Sequence, residues 1–482
     1  MSKLLFSIVL AGMGLLHAQA QYWRPIGGGA LGFLAPFTLF GDTVSDKLLA
    51  GGSFSYVINQ ADTVAAKGQA AWNGERWDSL AHPMTSVGGP AYWFVRFGGD
   101  LYLCGQFSFE STSSPGQWNS GIAKLNTEEQ RWEDLGCPNP SMNGMSTIVP
   151  RDPGAVLYAT GFSGSICGYP EASVFRYDGE MFHPWEPFSH IPQNDNNYVG
   201  LVFDFRGMTY MSCAMHDPLG TGYTTFLRWN GGSWEHVPGW GNTPAIIKDI
   251  SIRNDTLYVA GTLRMAQGAP GNGVAYFDGT TWNDMGGGLS FAPAPNFANG
   301  LVLQWYNDEL YVSGQFDRAG GIAADRLAKW NGRQWCSLPG HFLTAAGNTV
   351  PLNDMAVWRD SLYVCGDFAT IDGEPIRHVA QWLGGDAVVE CSEPVSVQEV
   401  AVGSTSTLWV WPLADHALYA VRTPYDAQWQ GGVFDAAGRR VAEVGFRGGV
   451  GTLDLGTAAP GLYLITLHDP TGQRYTAKFV VP

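Results

Sequence analysis

Positive charge is scarce in this chain of 482 residues: 27 Lys and Arg stand against 43 Asp and Glu, a formal net charge of -16. Nothing in that balance would release counterions from a phosphate backbone, so no nucleic-acid partner is expected, and anionic membranes are disfavoured on the same ground. Beyond the first twenty residues no apolar run approaches the roughly 20 residues that span a bilayer, so no transmembrane segment is expected. The seven cysteines contain no C-x-x-C, which leaves zinc-knuckle and thioredoxin-like chemistry without a scaffold. The histidines form no H-E-x-x-H and no close pair at metal-ligand spacing. No G-x-S-x-G elbow and no phosphate loop ending in Lys-Ser/Thr stands out. Apolar residues do not recur every 3.6 positions, which removes helical solenoids. No catalytic residue, metal or cofactor is therefore assigned.

Glycine is abundant, with 63 copies, and aromatic residues reach 13% while charged ones stop at 15%, a composition of turn-rich all-β structure. The first twenty residues read as a signal peptide, with Lys3 as the basic end, Leu4 to Leu16 as the apolar stretch and Ala18-Gln19-Ala20 as the cleavage site. Cleavage is expected between Ala20 and Gln21.

One apolar motif then recurs seven times, starting at Leu48, Leu101, Leu157, Thr209, Leu257, Leu310 and Leu362, as in LYVSGQF and LYVCGDF. A second motif follows each copy, as in AWNGERW from Ala71, RWNGGSW from Arg228 and KWNGRQW from Lys329, and degenerates to QWLGGDA from Gln381. The stretch before each first motif ends in a tight polar turn, which predicts a hairpin of strands a and b. The second motif predicts a hairpin of strands c and d, with Asn-Gly or Asp-Gly in the positive-φ positions of a two-residue turn. Four antiparallel strands repeated radially make a propeller of about seven blades. The tryptophans at fixed hairpin sites are expected to pack between blades.

The segment from Tyr22 to Gly29 resembles the outer strand of repeat five, Thr281 to Gly288, yet precedes the first inner strand. Two arrangements follow: it completes the last blade as a fourth strand, or residues 387–390 fill that place and it adds a fifth. Cys104 and Cys365 sit at one repeat position that elsewhere carries Thr160, Ala260 and Ser313, so they are expected to be small buried residues. Two disulfide pairs are expected in this exported chain, Cys336 with Cys391 and Cys137 with Cys167.

The region 21–392 resembles Kelch-like propellers and the glycine- and tryptophan-rich repeats of exported Bacteroidetes proteins, typified by GQFDRAGGIAADRLAKWNGRQW from Gly314. Such folds carry enzymes, lectins and scaffolds alike, so this resemblance implies no activity. Residues 393–407 read as a linker. Residues 408–482 alternate strand and turn, enough for a small β-sandwich. This tail resembles the type A sorting domain of the type IX secretion system. Phe434 to Val441, with Asp435, Gly438 and Arg439, looks like the family's "YDxxGRxV" turn; Gly461 and Tyr463 lie in a stretch that resembles its "PxGxYxV" entry, and Lys478 opens a stretch like its terminal strand. The family's "YPNP" is here Trp411-Pro412-Leu413-Ala414, keeping only Pro412 as the first proline. The resemblance implies export to the medium or the outer cell surface after periplasmic transit, with the secretion machinery as partner.

Strand parity places the a–b and c–d turns on one face of the disc and the b–c and d–a connections on the other. The second set is long and varied, covering residues 55–69, 108–120, 186–198, 264–273 and 286–299. A ligand, an extracellular glycan or protein, is expected on that face, with Asp195, Asp317, Arg318, Asp325 and Asp372 as candidate contacts. Two function classes stay open: a non-catalytic binding or adhesion propeller, and a glycan- or peptide-processing enzyme with catalytic residues on the long-loop face.

Overall fold

The computed structural model describes residues 22–481 except 61, 81–89, 113, 117, 136–146, 151–156, 161–173, 188–197, 218, 220–222, 238–239, 241–245, 265–271, 294–297, 394–407, 413–417, 436–438, 457, 460 and 472–473. The expected Cys137–Cys167 pair, the signal cleavage site, Asp195 and Gly438 lie outside them. Two compact units divide the chain, residues 1–395 and 396–482. No described helix is long and apolar enough to cross a membrane.

The first unit is a ring of seven antiparallel four-stranded blades, each running a-b-c-d from the axis outward. Strands a are Gly29–Asp42, Ala91–Phe97, Thr147–Pro150, Tyr198–Phe205, Ile246–Arg253, Asn299–Tyr306 and Asp354–Trp358. Strands b are Lys47–Ile58, Asp100–Glu110, Leu157–Thr160, Met208–His216, Thr256–Arg264, Glu309–Gln315 and Ser361–Cys365. Strands c are Gln69–Trp72, Trp118–Asn126, Val174–Tyr177, Tyr223–Trp229, Asn272–Phe277, Leu327–Trp330 and Val379–Trp382. Strands d of blades 1 to 6 are Trp77–Ser79, Arg131–Glu133, Phe182–Pro184, Trp234–His236, Trp282–Asn283 and Trp335–Ser337. Each innermost strand meets the innermost strands of both neighbours, blade 7 meeting blade 1, so the ring is closed.

The closing strand is Trp23–Pro25, which pairs Trp23 with Trp382, Arg24 with Gln381 and Pro25 with Ala380. The N-terminus is thus the fourth strand of blade 7. Residues 387–390 do not add to that blade; Glu390–Cys391 instead pairs with Cys336 and Ser337 as a fifth strand on blade 6, fastened by a Cys336–Cys391 disulfide. Closing one sheet with strands from distant parts of the chain removes an open edge. Cys104, Cys213 and Cys365 are buried.

The turn chemistry differs from expectation in one respect. Two-residue turns with both central residues at positive φ belong to the a–b hairpins, at Asn254-Asp255, Asn307-Asp308 and Arg359-Asp360. The c–d turns are four-residue loops. In Asn331 to Gln334 only Gly332 has positive φ, and the Asn331 side-chain oxygen accepts the N–H groups of Arg333 and Gln334, both at 3.0 Å. Asn stays in ordinary φ because its side chain satisfies the turn from outside the backbone.

Three recurrent fastenings cross the blade seams. The strand-d tryptophan donates its indole N–H to a carbonyl of the connection entering its blade: Trp77 to Ile26 at 3.3 Å, Trp234 to Pro187 at 2.9 Å, Trp23 to Pro339 at 2.8 Å, and Trp335 to Met285. The small residue of strand b reaches the next blade's innermost strand or the residues that lead into it. Ser313 accepts from the Leu352 N–H at 3.0 Å, and the Cys365 thiol donates to the Pro36 carbonyl at 3.5 Å. On the short-turn face, Asp42–Arg96, Arg206–Asp255, Arg253–Asp308 and Asp46–Arg359 join neighbouring blades.

The second unit pairs Trp409–Pro412, Leu418–Asp435, Arg440–Asp454, Gly461–His468 and Arg474–Val481. Leu418–Asp435 shifts register between Arg422 and Ala427, pairing with Trp409–Pro412 before that break and Gly461–His468 after it. Side chains from both halves, including Tyr419, Val421, Trp429, Ile465 and Phe479, share one buried core.

Candidate functional site

The long connections are not bare loops. The d–a connection into blade 6 contributes Leu289–Ser290, which pairs with Arg318–Ala319 of that blade's b–c connection; Arg318–Ala319 in turn pairs with Ile322–Ala323. Entry to blade 7 repeats this with Phe342–Leu343 against Thr370–Ile371. In blade 1 the start of strand a, from Gly29 to Leu31, pairs with Tyr56 to Ile58. At the entries to blades 6 and 7 the connection thus folds onto the next one as a small accessory sheet.

Within this layer Asp317 has both carboxylate oxygens 3.0 Å from the Ala292 nitrogen, from which it accepts a hydrogen bond, and Arg318 donates to the Gly321 carbonyl at 2.9 Å. Both candidates shape connections. Asp372, at φ 52°, accepts the His341 N–H at 2.8 Å, and its own N–H donates to the His341 carbonyl at 3.1 Å. Asp325, from blade 6, bonds Nδ1 of the same His341. The structure therefore brings Asp325 and Asp372 together on His341 at the seam of blades 6 and 7, leaving the Asp325 and His341 side chains 33% and 54% exposed.

Next to Asp325, Arg326 holds a left-handed φ of 65°; the same repeat position, before or early in strand c, is Gly68, Gly121 and Gly273 in blades 1, 2 and 5, and His378 in blade 7. The Arg326 guanidinium donates to the Phe316 carbonyl at 2.8 Å and lies 4.7 Å from the centre of the Phe291 ring. Burial lowers its pKa from the ordinary value. Sequence reasoning missed His341 because it is a single residue in a connection of unremarkable composition. The non-glycine at a repeated glycine position was the only local signal for Arg326.

A second set of acids rings the axis. Asp249 of blade 5 accepts the Leu303 N–H of blade 6 at 2.7 Å; Asp354 of blade 7 accepts from Leu39 N–H at 2.9 Å and the Thr38 hydroxyl at 2.8 Å, both in blade 1. Each keeps some access to water yet is otherwise surrounded by strands. Burial pushes Asp249 up to about 7, with the charge of Asp354 adding to the rise, and Asp354 up to about 6. Unfolded carboxyls titrate near about 3.9, so between about pH 4 and 7 the folded chain holds more protons. The stability linked to these carboxyls is therefore present on the acid side and lost as pH rises through about 6 to 7. The melting temperature should fall as pH is raised from about 5 to 8, and Asp249→Asn should flatten that slope. Identical slopes for the two proteins would contradict this account.

In the second unit the motif residues converge. Asp435 pairs with Tyr463, which pairs with Phe479, and Lys478 stands opposite Leu464. The Asp435 carboxylate accepts both the backbone N–H and the Nε–H of Arg439 at 2.9 Å, and the Tyr463 hydroxyl donates to the Ala459 carbonyl at 2.7 Å. Pro412 pairs with Tyr419, and Gly461 with Val481.

No protein-family model matches the chain, and no curated protein does either. Similar solved structures include the extracellular domain of a hybrid two-component system of B. thetaiotaomicron, at 10% identity and TM-score 0.42, with 95% of this chain and 58% of that one covered. PorZ, a surface component of the type IX secretion system of Porphyromonas gingivalis, is similar at 10% identity and TM-score 0.27, covering 96% and 85%. Trypanosoma rangeli sialidase is similar at 9% identity and TM-score 0.33, covering 95% and 87%. The chain spans less than two thirds of the first of these. The seven-bladed architecture stands on the strand pairing described above.

Proposed function

We propose that this chain is a non-catalytic binding propeller, exported through a type IX secretion system by its C-terminal unit and released or held at the outer cell surface. Its ligand, a glycan or an extracellular protein, contacts the long-connection face. The observation that carries this reading is the asymmetry of the disc. Ion pairs between blades lock the short-turn face, whereas accessory sheets on the other hold polar groups such as Asp325 and His341 outward on a rigid frame. The proposed organisation is a signal peptide over 1–20, a propeller over 21–392, a linker over 393–407 and a sorting domain over 408–482. The turn that ties Arg439 to Asp435, in register with Tyr463, supports the last of these.

The test is a glycan and matrix-protein array with hydrolysis assays on the same ligands. Bound ligand should be retained unchanged, and the Asp325→Ala/His341→Ala protein should bind about tenfold more weakly while Asn331→Ala binds normally. Turnover of a ligand, or indifference to the loop variants, would overturn the reading. Deleting residues 408–482 should leave a folded propeller in the periplasm of a competent host; its normal appearance outside the cell would refute the export route.

A further inference from the structure

Strand c carries a cation at one repeat position in blades 2, 3, 4 and 6: Lys124, Arg176, Arg228 and Lys329. Three of the four are ion-paired within their own blade, Lys124 with Asp100 at 2.5 Å, Arg228 with Glu235 at 2.9 Å and Lys329 with Glu309 at 2.6 Å. Arg176 has no ion pair among the described residues and is exposed. It lines a cleft of about 450 Å³ at the seam of blades 3 and 4, together with His183, Trp185, Glu186, Thr209 and Trp229. That volume falls within the range of small-ligand sites, about 300 to 1,000 Å³.

The same seam position opens once more, between blades 7 and 1, as a cleft of about 510 Å³ in which Gln381 replaces Arg176, Arg24 replaces His183 and Trp72 replaces Trp229. There the guanidinium of Arg24 is already engaged by the Gln381 side-chain oxygen. Of these two clefts, the one between blades 3 and 4 holds a guanidinium with no ion pair among the described residues.

We propose that the cleft between blades 3 and 4 binds a saccharide bearing an anionic group, with Arg176 receiving that group. A guanidinium presents paired N–H donors that match a carboxylate or a sulfate. The indole of Trp229 and the rings of Pro184 and Pro187 supply the flat apolar surfaces a sugar ring needs. Glu186 on the same lining accepts from sugar hydroxyls and disfavours a second anionic group nearby. A peptide strand is a poorer fit: the adjoining edge strand, Phe182–Pro184, has three residues and ends in a proline without an N–H. The net charge of -16 repels long polyanions at a distance, which favours short acidic oligosaccharides. Of the lining, only Glu186 and Pro187 belong to a long connection, so the site does not involve the Asp325–His341 pair.

The experiment titrates the full mature protein with a galactotetraose ending in one galacturonate, a galactotetraose carrying one sulfate ester, neutral galactotetraose and tetraglutamate. Preference for either anionic saccharide over both galactotetraose and tetraglutamate is expected, and which of the two is held names the source of the charge. Arg176→Gln should weaken binding by about tenfold or more and Arg176→Lys by less, while the ion-paired control Arg228→Gln binds as wild type. Melting temperatures confirm that each variant is folded. Equal binding of the neutral sugar, stronger binding of tetraglutamate, no binding at all, or an unaffected Arg176→Gln protein would each overturn the proposal. Loss through the loop variants alone would overturn it while leaving the long-connection reading standing.

Discussion

Gly314→Ala should destabilise the propeller severely, by about 3 kcal/mol or more, or leave it insoluble. A Cβ at Gly314 would lie 2.1 Å from the Asn299 carbonyl oxygen and 2.9 Å from the Gly300 Cα, both of them backbone of the innermost strand. No side-chain rotation can relieve that overlap, so strand a of blade 6 would have to leave strand b, and with it the ring contact to blade 7. The same approach recurs at Gly105, 2.2 Å from the Pro90 oxygen, and at Gly261, 2.0 Å from the Ile246 oxygen. The control is Gly332→Ala on an exposed c–d turn, where nothing lies within 4 Å and the cost is the positive φ of 92° alone. That variant should lose only about 1 kcal/mol. Chemical denaturation of the three proteins checks the order. Gly314→Ala as stable as Gly332→Ala would show that the innermost strands are not held as described.

Removing residues 22–28 should have a comparably large effect through a different cause. Trp23 is 1% exposed, lies 4.8 Å from Trp382 and 5.3 Å from Phe342 between ring centres, and bonds the Pro339 carbonyl. Its loss empties a site in the blade 7 core and bares the edge of Val379–Trp382. Truncating one buried tryptophan costs about 3 to 5 kcal/mol, before any contribution from the exposed edge. The truncated protein should melt well below the full one or aggregate, and Trp23→Ala should recover much of the same loss without exposing the edge. Unchanged melting of the truncated protein would show that blade 7 does not depend on the N-terminal strand.

Much of this architecture was legible in the residues because a propeller repeats one local solution. The LYVxG motif shows its strand as a short apolar run and its close approach by glycine, and the WNG-x-x-W motif shows its hairpin by two tryptophans in register, as Trp330 and Trp335 prove to be. The turn assignment failed where two chemistries look alike in sequence. Asn331 could have entered the left-handed region itself, yet it stays outside and lends its side chain. The candidate residues of the long connections were harder still. Asp317 and Asp372 hold backbone N–H groups of neighbouring segments, and whether an exposed-looking aspartate caps a neighbour or faces solvent depends on which segment folds back to it.

The sequence by itself determined the repeat count, the four-strand unit, the radial order of the strands and the motif positions of the C-terminal unit, because each rests on period, turn residues or backbone sterics within about fifty residues. Only the tertiary structure decided what lies across the seams. The capture of Trp23 by blade 7, the transfer of Glu390–Cys391 to blade 6, the meeting of Asp325 and Asp372 on His341, and the cleft that Arg176 lines between blades 3 and 4 all depend on segments from different repeats. A hydrogen bond or an ion pair between such segments carries no periodic signature in the chain, since its energy exists only once the closed ring brings the two together.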